Sequence, residues 1–476
     1  MTSESSETTT APLTPGAGQR GGFGLDVERR GISAALQSYW TRVRSGEPGA
    51  LPSVLGIVVL LIVFSQVSSR FLSRSNIGNL PGQGAYIAII ALGLVFVLLI
   101  GEIDLSAGTT GGVAAGFAAQ AIFSGGLHKG TPGLLYWLLL AGMAAAVLLG
   151  LYLKTYTGPA LVAVGILIVL TGLDKHVITG LILAVSIGSA VGIFIGWLVA
   201  KVGIPSFIVT LALFLAWQGV LLFALNSQPI NVGRYSFWNG LANNRMSPIG
   251  GWIFLVVTAG GYIAFTLLRS VRAHAKGLSS DTVSLVLVRG GLLAAVGVVV
   301  VVLANENRNP NPGPKIEGLP WAATIPVGLM ILCTIALTKT AWGRHLFATG
   351  GSNEAARRAG IDVIKIKVTA FTLCSSFGAL GGIFLASNTG GVQLDLGSGN
   401  ILLFSVAAAV IGGTSLFGGR GKARDAIIGA LVIVIIPNGI GLRPSLPAQY
   451  TSVITGAVLL LAAAVDALSR RRGRIS

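Results

Sequence analysis

AYIAIIALGLVFVLLIGEIDLSAG, Ala85 to Gly108, decides how this chain is read. Ala85 to Ile100 carry no charge, and neither do Ala107 to Phe123. An α-helix needs about 20 apolar residues to cross the hydrocarbon layer of a bilayer. GEIDLS, Gly101 to Ser106, therefore separates two segments of membrane-crossing character. Its two carboxylates, Glu102 and Asp104, admit two readings. They form a proton or sodium site, or they mark a helix break that the fold requires. In the second reading a turn at the membrane face exposes both acids. Asp104 or Ser106 then caps the helix that contains Gly108, satisfying amide donors that lipid would leave unpaired.

The rest of the sequence extends the membrane reading. The 476 residues are 53% hydrophobic and 10% charged, where soluble domains carry about 25% charged residues. The apolar residues fall in long blocks, not in the short alternating segments of a transmembrane barrel. The spans expected are 50–69, 84–103, 105–123, 134–152, 158–173, 177–199, 203–225, 250–268, 285–304, 322–338, 367–387, 401–417, 426–442 and 449–467. The fold class is all-α, a polytopic transmembrane helical bundle of about fourteen spans, with ten as the lower bound.

The net charge of +17 is not read as nucleic-acid binding, because no aromatic-rich basic domain accompanies it. Lys and Arg accumulate in cytoplasmic loops of membrane proteins. With the N-terminus inside and the spans alternating, 24 of the 33 Lys and Arg residues fall on the inside. Both termini are placed in the cytoplasm. Residues 1–48 read as a basic cytoplasmic tail, Ser-, Thr-, Gly- and Pro-rich and disordered over about the first 30, with no apolar signal-peptide segment. Within it Ile32, Leu36, Tyr39, Trp40 and Val43 recur at helical spacing among arginines, giving either an interfacial amphipathic helix or a solvated linker. Residues 49–470 form the membrane domain and 471–476 a second basic tail. Two polar excursions interrupt the membrane domain: 226–249 outside, and 339–366 inside, a basic segment suited to docking a cytoplasmic partner.

Several glycines stand at helix-packing spacing: Gly112 and Gly116; Gly188, Gly192 and Gly196; Gly378 and Gly382. Small residues at such spacing let helices approach closely in lipid. Cys333 and Cys374 lie in apolar segments and read as core residues. His128, His176, His274 and His345 are isolated, so no metal-ligand set is expected. No catalytic residue is expected either. The nearest approach to a phosphate-binding loop, GGRGKARD at Gly418–Asp425, has Ala423 where a Ser or Thr must hold magnesium. Acids well inside apolar segments reduce to Glu102 and Asp104, with Asp466 pairing Arg470 at a cytoplasmic end. That is thin support for an ion-coupled carrier, which commonly places acids deep in several helices.

Four longer stretches together resemble one family, the membrane permease subunit of bacterial ABC sugar importers of the ribose/xylose type. They are SNIGNLPGQGAYIAIIALGLVFVLLIGEIDLSAG (Ser75–Gly108), GIPSFIVTLALFLAWQGVLLF (Gly203–Phe223) with the following Gln228–Ile230, EAARRAGIDVIKIKV (Glu354–Val368) and AAAVIGGTSLFGGRGKARDAIIGALVIVIIPNGIGL (Ala407–Leu442). The resemblance implies a homodimer in the bacterial cytoplasmic membrane, working with cytoplasmic ATP-binding subunits and an extracytoplasmic sugar-binding protein. ATP and magnesium would be bound by the partner, so this chain needs no cofactor. Glu354, Ala355, Ala356 and Gly360 match the family's coupling helix, with Arg357 and Arg358 placed to meet acids of the ATPase. Lys365 and Lys367 stand where the fuller motif has an apolar-proline ending. Added length around 153–176 and 269–321, and Glu102 in GEIDLS, lean toward the xylose-type branch, so xylose or another pentose is the first substrate expected. Path-lining candidates are Thr210, Trp217, Gln218, Asn388, Gly412, Gly413, Thr414, Ser415 and Asn438. An ion-coupled carrier of a small polar solute and an exporter- or flippase-type component are the competing readings.

Overall fold

The computed structural model describes residues 29–44, 49, 51–276, 278, 280–309, 311–447 and 449–473. The expected tail up to residue 28, the stretch 45–48 and residues 474–476 lie outside the described residues. The described chain is almost entirely helical. After α1 (Ile32–Arg44) and α2 (Leu51–Val67) come α3 (Arg74–Leu99), α4 (Ala107–Ser124), α5 (Gly133–Tyr152) and α6 (Thr157–Leu170). Then follow α7 (Val177–Val202), α8 (Ser206–Ala224), α9 (Ser236–Asn243), α10 (Pro248–Ala275), α11 (Val283–Asn305) and α12 (Trp321–Lys339). Two short helices, α13 (Ala341–Gly351) and α14 (Asn353–Arg358), precede α15 (Val363–Thr389), α16 (Asn400–Gly412), α17 (Ala423–Gly441) and α18 (Gln449–Gly473).

Each of the fourteen expected spans corresponds to one of these helices. Among the described residues, nine are long and apolar enough to cross a membrane: α3, α5, α7, α8, α10, α11, α12, α15 and α17. The others are shorter or less apolar. The 13 residues of α16 rise about 20 Å at about 1.5 Å per residue, less than the hydrocarbon thickness. The reason is that the chain enters that part of the molecule unwound, as described below.

α15 is the central element. Gly188, Gly192 and Gly196 of α7 face the backbone of Ser375, Phe371 with Thr372, and Val368, leaving no room for a side chain. Gly378 and Gly382 on another side of α15 face Ala107 and Gly111 of α4. Gly93 of α3 meets Cys374 and Phe377. Close packing of small residues on several sides is the way helices associate where lipid offers no hydrophobic drive. Cys333 and Cys374 are buried and free.

The loops sort to two ends in the alternation expected from charge. At one end Gly419 N donates to Leu99 O at 2.8 Å, Trp342 Nε1 to Thr369 Oγ1 at 2.8 Å, and Lys365 stacks over the Tyr156 ring. At the other, Leu127 N donates to Asp174 Oδ2 at 2.6 Å, Asn226 Nδ2 to Gly130 O at 2.9 Å, and Arg74 pairs with Glu306 at 2.6 Å. The outer excursion is not loose. Trp238 of α9 is fully buried and donates from Nε1 to Ile383 O at 3.0 Å, while the Ser387 hydroxyl donates to Trp238 O at 2.7 Å. α1 is helical, with Ile32, Leu36 and Trp40 exposed. The side chains of Asp466 and Arg470 lie outside the described residues.

Candidate translocation site and coupling segment

GEIDLS does not lie exposed on a membrane face. After α3 ends, Gly101 adopts φ +75° and the chain turns back into the protein. Glu102 pairs with Lys367 in the first turns of α15, both side chains about 15% exposed. Ile103 N donates to Ser206 Oγ at 3.3 Å. Asp104 is wholly buried beside the Cys374 thiol, and Ala107 reaches Gly378. Gly378 lies about 22 Å along α15 from its start, at about 1.5 Å per residue. GEIDLS is thus an unwound segment climbing into the bundle from the inner end, and α4 starts within it. Exposure of the acids was expected because the turn was placed at the membrane face; α15 and α8 cover it instead.

The capping detail also differs. Asp104 Oδ1 accepts from Ser106 N at 2.8 Å and from Ser106 Oγ at 2.7 Å. Ser106 occupies the N-cap position of α4 but its side chain caps no amide. The hydroxyl is held by Asp104, so Asp104 alone organises the helix start. Gly108, in the first turn, faces the backbone carbonyl of Gly397.

That contact reveals a second unwound segment, which the sequence reading missed. Beyond α15, Gly391–Val392 pairs antiparallel with Ile230–Asn231 at the outer end. The chain then descends: the Leu396 carbonyl lies against Gly112 and the Gly397 carbonyl against Gly108. Gly397 has φ +82°. α16 begins only at Asn400. Gln393, Asp395, Gly399 and Asn400 are exposed. A signal for this segment exists in the sequence. Glu102-Ile103-Asp104-Leu105 followed by Gly108 is echoed by Gln393-Leu394-Asp395-Leu396 followed by Gly399, at identical spacing. One copy enters from the inner end, the other from the outer end.

The path-lining candidates do not gather in one place. Thr210 is buried and bonds Ser206 O at 2.8 Å, bracing GEIDLS. Trp217 and Gln218 are half-buried on α8, Gln218 donating to Phe214 O at 3.0 Å within its own helix. Gly412 ends α16 against the Asp425 backbone, and Gly413 follows at φ +122°. Thr414 and Ser415 are buried beyond it at the inner end. Asn438 is an inter-helix clamp, bonding Asn76 at 2.8 and 2.9 Å and Gln83 at 3.1 Å. Asn388 is exposed at the outer end of α15.

The coupling candidates do gather. α14 starts at Ser352, whose hydroxyl accepts from Ala355 N at 3.2 Å, an ordinary N-cap. Ala356 is the one buried residue of the helix, while Glu354, Ala355, Arg357, Arg358 and Gly360 face outward. Arg358 Nε bonds Glu354 Oε1 at 3.1 Å, so that arginine is part of an exposed intrahelical pair and not a free cation. Gly360, at φ +78°, turns the chain into α15. Among the described residues no group of His, Cys, Asp and Glu could hold a metal ion.

The described chain is thus a bundle of apolar helices broken by two facing unwound segments. The chain belongs to the family described as branched-chain amino acid transport system / permease component, whose model matches residues 156–463, and it is a multi-pass cell-membrane protein. It is 29% identical over 424 residues to the xylose transport system permease protein of Escherichia coli (strain K12), covering 88% of this chain and 92% of that one. To the corresponding xylose protein of Haemophilus influenzae it is 28% identical, over 88% of this chain and 96% of the relative. To the ribose import permease protein of Escherichia coli (strain K12) it is 26% identical, over 87% and 92%. No solved structure matches the chain.

Proposed function

We propose that this chain is the membrane subunit of an ATP-driven importer and forms the translocation path for a monosaccharide, xylose or another pentose first. The observation that carries this reading is the near full-length similarity to sugar permeases of two substrate types, with the xylose relatives somewhat more identical. Energy is supplied by a separate ATP-binding subunit that holds ATP and magnesium. α14 is the element that subunit grips, since its exposed face is charged and its N-terminal end stands clear of the bundle. An extracytoplasmic sugar-binding protein delivers the substrate at the outer end, and a second copy of the chain completes the path.

The test is reconstitution. Pentose uptake into proteoliposomes that requires ATP, the ATP-binding subunit and the binding protein together supports the proposal. Uptake by the chain alone, driven by an imposed proton or sodium gradient, refutes it in favour of an ion-coupled carrier. The packing argues for the first outcome, because Glu102 is neutralised by Lys367 and Asp104 is closed off from water.

A further inference from the structure

We infer that the outer unwound segment, Gln393 to Asn400, is a water-facing wall of the translocation path, and that Asp395 on it accepts hydrogen bonds from the hydroxyls of a neutral polyol. This rests on the import reading above and names a substrate-contacting residue within it.

The argument begins with depth. Leu396 touches Gly112, whose neighbour Gly111 meets Gly382 of α15. Gly382 lies about 10 Å short of the outer end of α15, at about 1.5 Å per residue. Asp395 is one residue above that contact, yet it is exposed, as are Gln393, Gly399 and Asn400. The 27 residues of α15 rise about 40 Å against about 30 Å of hydrocarbon, so this level lies at the outer margin of the hydrocarbon, where an ionised side chain is disfavoured against lipid and irregular backbone needs protein or water to cover it. A run of polar, exposed, non-helical residues at this level therefore borders water.

Comparison of the two unwound segments then singles out Asp395. Its counterpart by spacing, Asp104, has Oδ1 engaged by Ser106, is buried, and organises α4. At the position matching Ser106 the outer segment has Gly397, which offers no hydroxyl. No hydrogen bond or ion pair reaches the Asp395 carboxylate from any described residue; the turn is closed by its backbone carbonyl, which accepts from Ser398 N at 2.9 Å. The start of α16 at Gly399 likewise has no side-chain cap. The segment thus exposes an acceptor-only carboxylate, the Gln393 amide and a helix start without a side-chain cap within one short stretch. Carriers built on discontinuous helices place their substrate groups at such breaks. A neutral sugar suits this surface, because its hydroxyls donate to the carboxylate without requiring a counter-charge.

The test has two arms. In the first, the chain in membranes carries Gln393→Cys or Asp395→Cys and is treated with a small water-soluble thiol reagent. The native Cys333 and Cys374 are buried, so the unmodified chain is the blank. Modification of either new cysteine is expected; resistance of both, in a folded protein, overturns the water-facing wall. In the second, the complete importer takes up labelled D-xylose or D-ribose. Asp395→Ala is expected to lower uptake by about tenfold or more, the factor for losing one hydrogen bond to a charged group, while Asp395→Asn retains more. Wild-type rates in a monodisperse Asp395→Ala protein overturn the hydroxyl-binding role. A wild-type importer that moves no pentose refutes the functional reading, whereas the labelling arm decides the wall by itself.

Discussion

Asp104 and Glu102 show how one short motif divides into two jobs. Asp104 holds Ser106 through both its amide and its hydroxyl in a fully buried turn. Asp104→Ala strands those two donors. Each costs about 1–3 kcal/mol when left unpaired, so the variant is expected to lose yield of folded, monodisperse protein, and normal yield would remove Asp104 as the organiser of α4. Glu102 acts differently. Its partner Lys367 begins the central helix, and the pair is largely shielded. Removing one member of a buried pair commonly costs about 3–5 kcal/mol. Glu102→Lys should therefore lower the melting temperature in detergent, and the double swap Glu102→Lys with Lys367→Glu should recover much of it. Recovery is the diagnostic result. A double swap as unstable as the single one would mean that the pair is incidental to the turn.

At the scale of elements, one close approach decides whether the outer unwound segment can reach the start of α4. Gly108 and Gly397 face one another's backbone so closely that a Cβ on either would overlap a carbonyl oxygen, and Gly397 also needs its positive φ. Gly108→Ala should destabilise the protein by about 1–3 kcal/mol, the usual range for overpacking. Gly142→Ala, in the middle of α5 with open space around it, should be neutral or gain up to about 1 kcal/mol in helix propensity. A thermal-shift comparison of the pair checks the crossing, and equal behaviour would refute it. The proposed coupling role of α14 makes a separate prediction. Glu354 is exposed, so Glu354→Arg should leave the fold intact while weakening capture of the ATP-binding subunit in a pull-down by about tenfold, the loss of one charge-assisted contact. Unchanged capture would remove α14 as the coupling element. Helix positions, packing glycines and α14 were legible in the sequence because each leaves a local mark: apolar length, small-residue spacing or a charged motif. The outer unwound segment was not read, although the repeat of Asp-Leu within like-spaced neighbours was there. A single acid in a short polar stretch resembles any loop, and its contacts with α4, Gly397 on Gly108 and Leu396 on Gly112, are what show that this loop dives into the bundle.

For the whole molecule, the expected orientation rests on the charge census, and the loop contacts test the alternation that the census assumes. The charge census places 24 of 33 Lys and Arg residues on one side. Contacts among the loops, which owe nothing to that census, collect GEIDLS, the start of α15 and the loop before α17 at one end, and the loops around Asp174, Asn226 and Glu306 at the other. The two sortings agree on which loops share an end, and the rule that Lys- and Arg-rich loops stay untranslocated predicts that the basic end faces the cytoplasm. This end also carries α14, the element proposed to meet the ATP-binding subunit. The agreement is testable without any knowledge of substrate. Single cysteines at Gln228 and at Ser352, both exposed loop positions at opposite ends, should react with a membrane-impermeant thiol reagent in opposite senses: Gln228→Cys in intact cells, Ser352→Cys only after the membrane is opened. The reverse pattern would invert the molecule and place the proposed coupling helix out of reach of ATP. Reaction of both in intact cells would break the alternation itself, and with it the placement of the two unwound segments on opposite sides of one path.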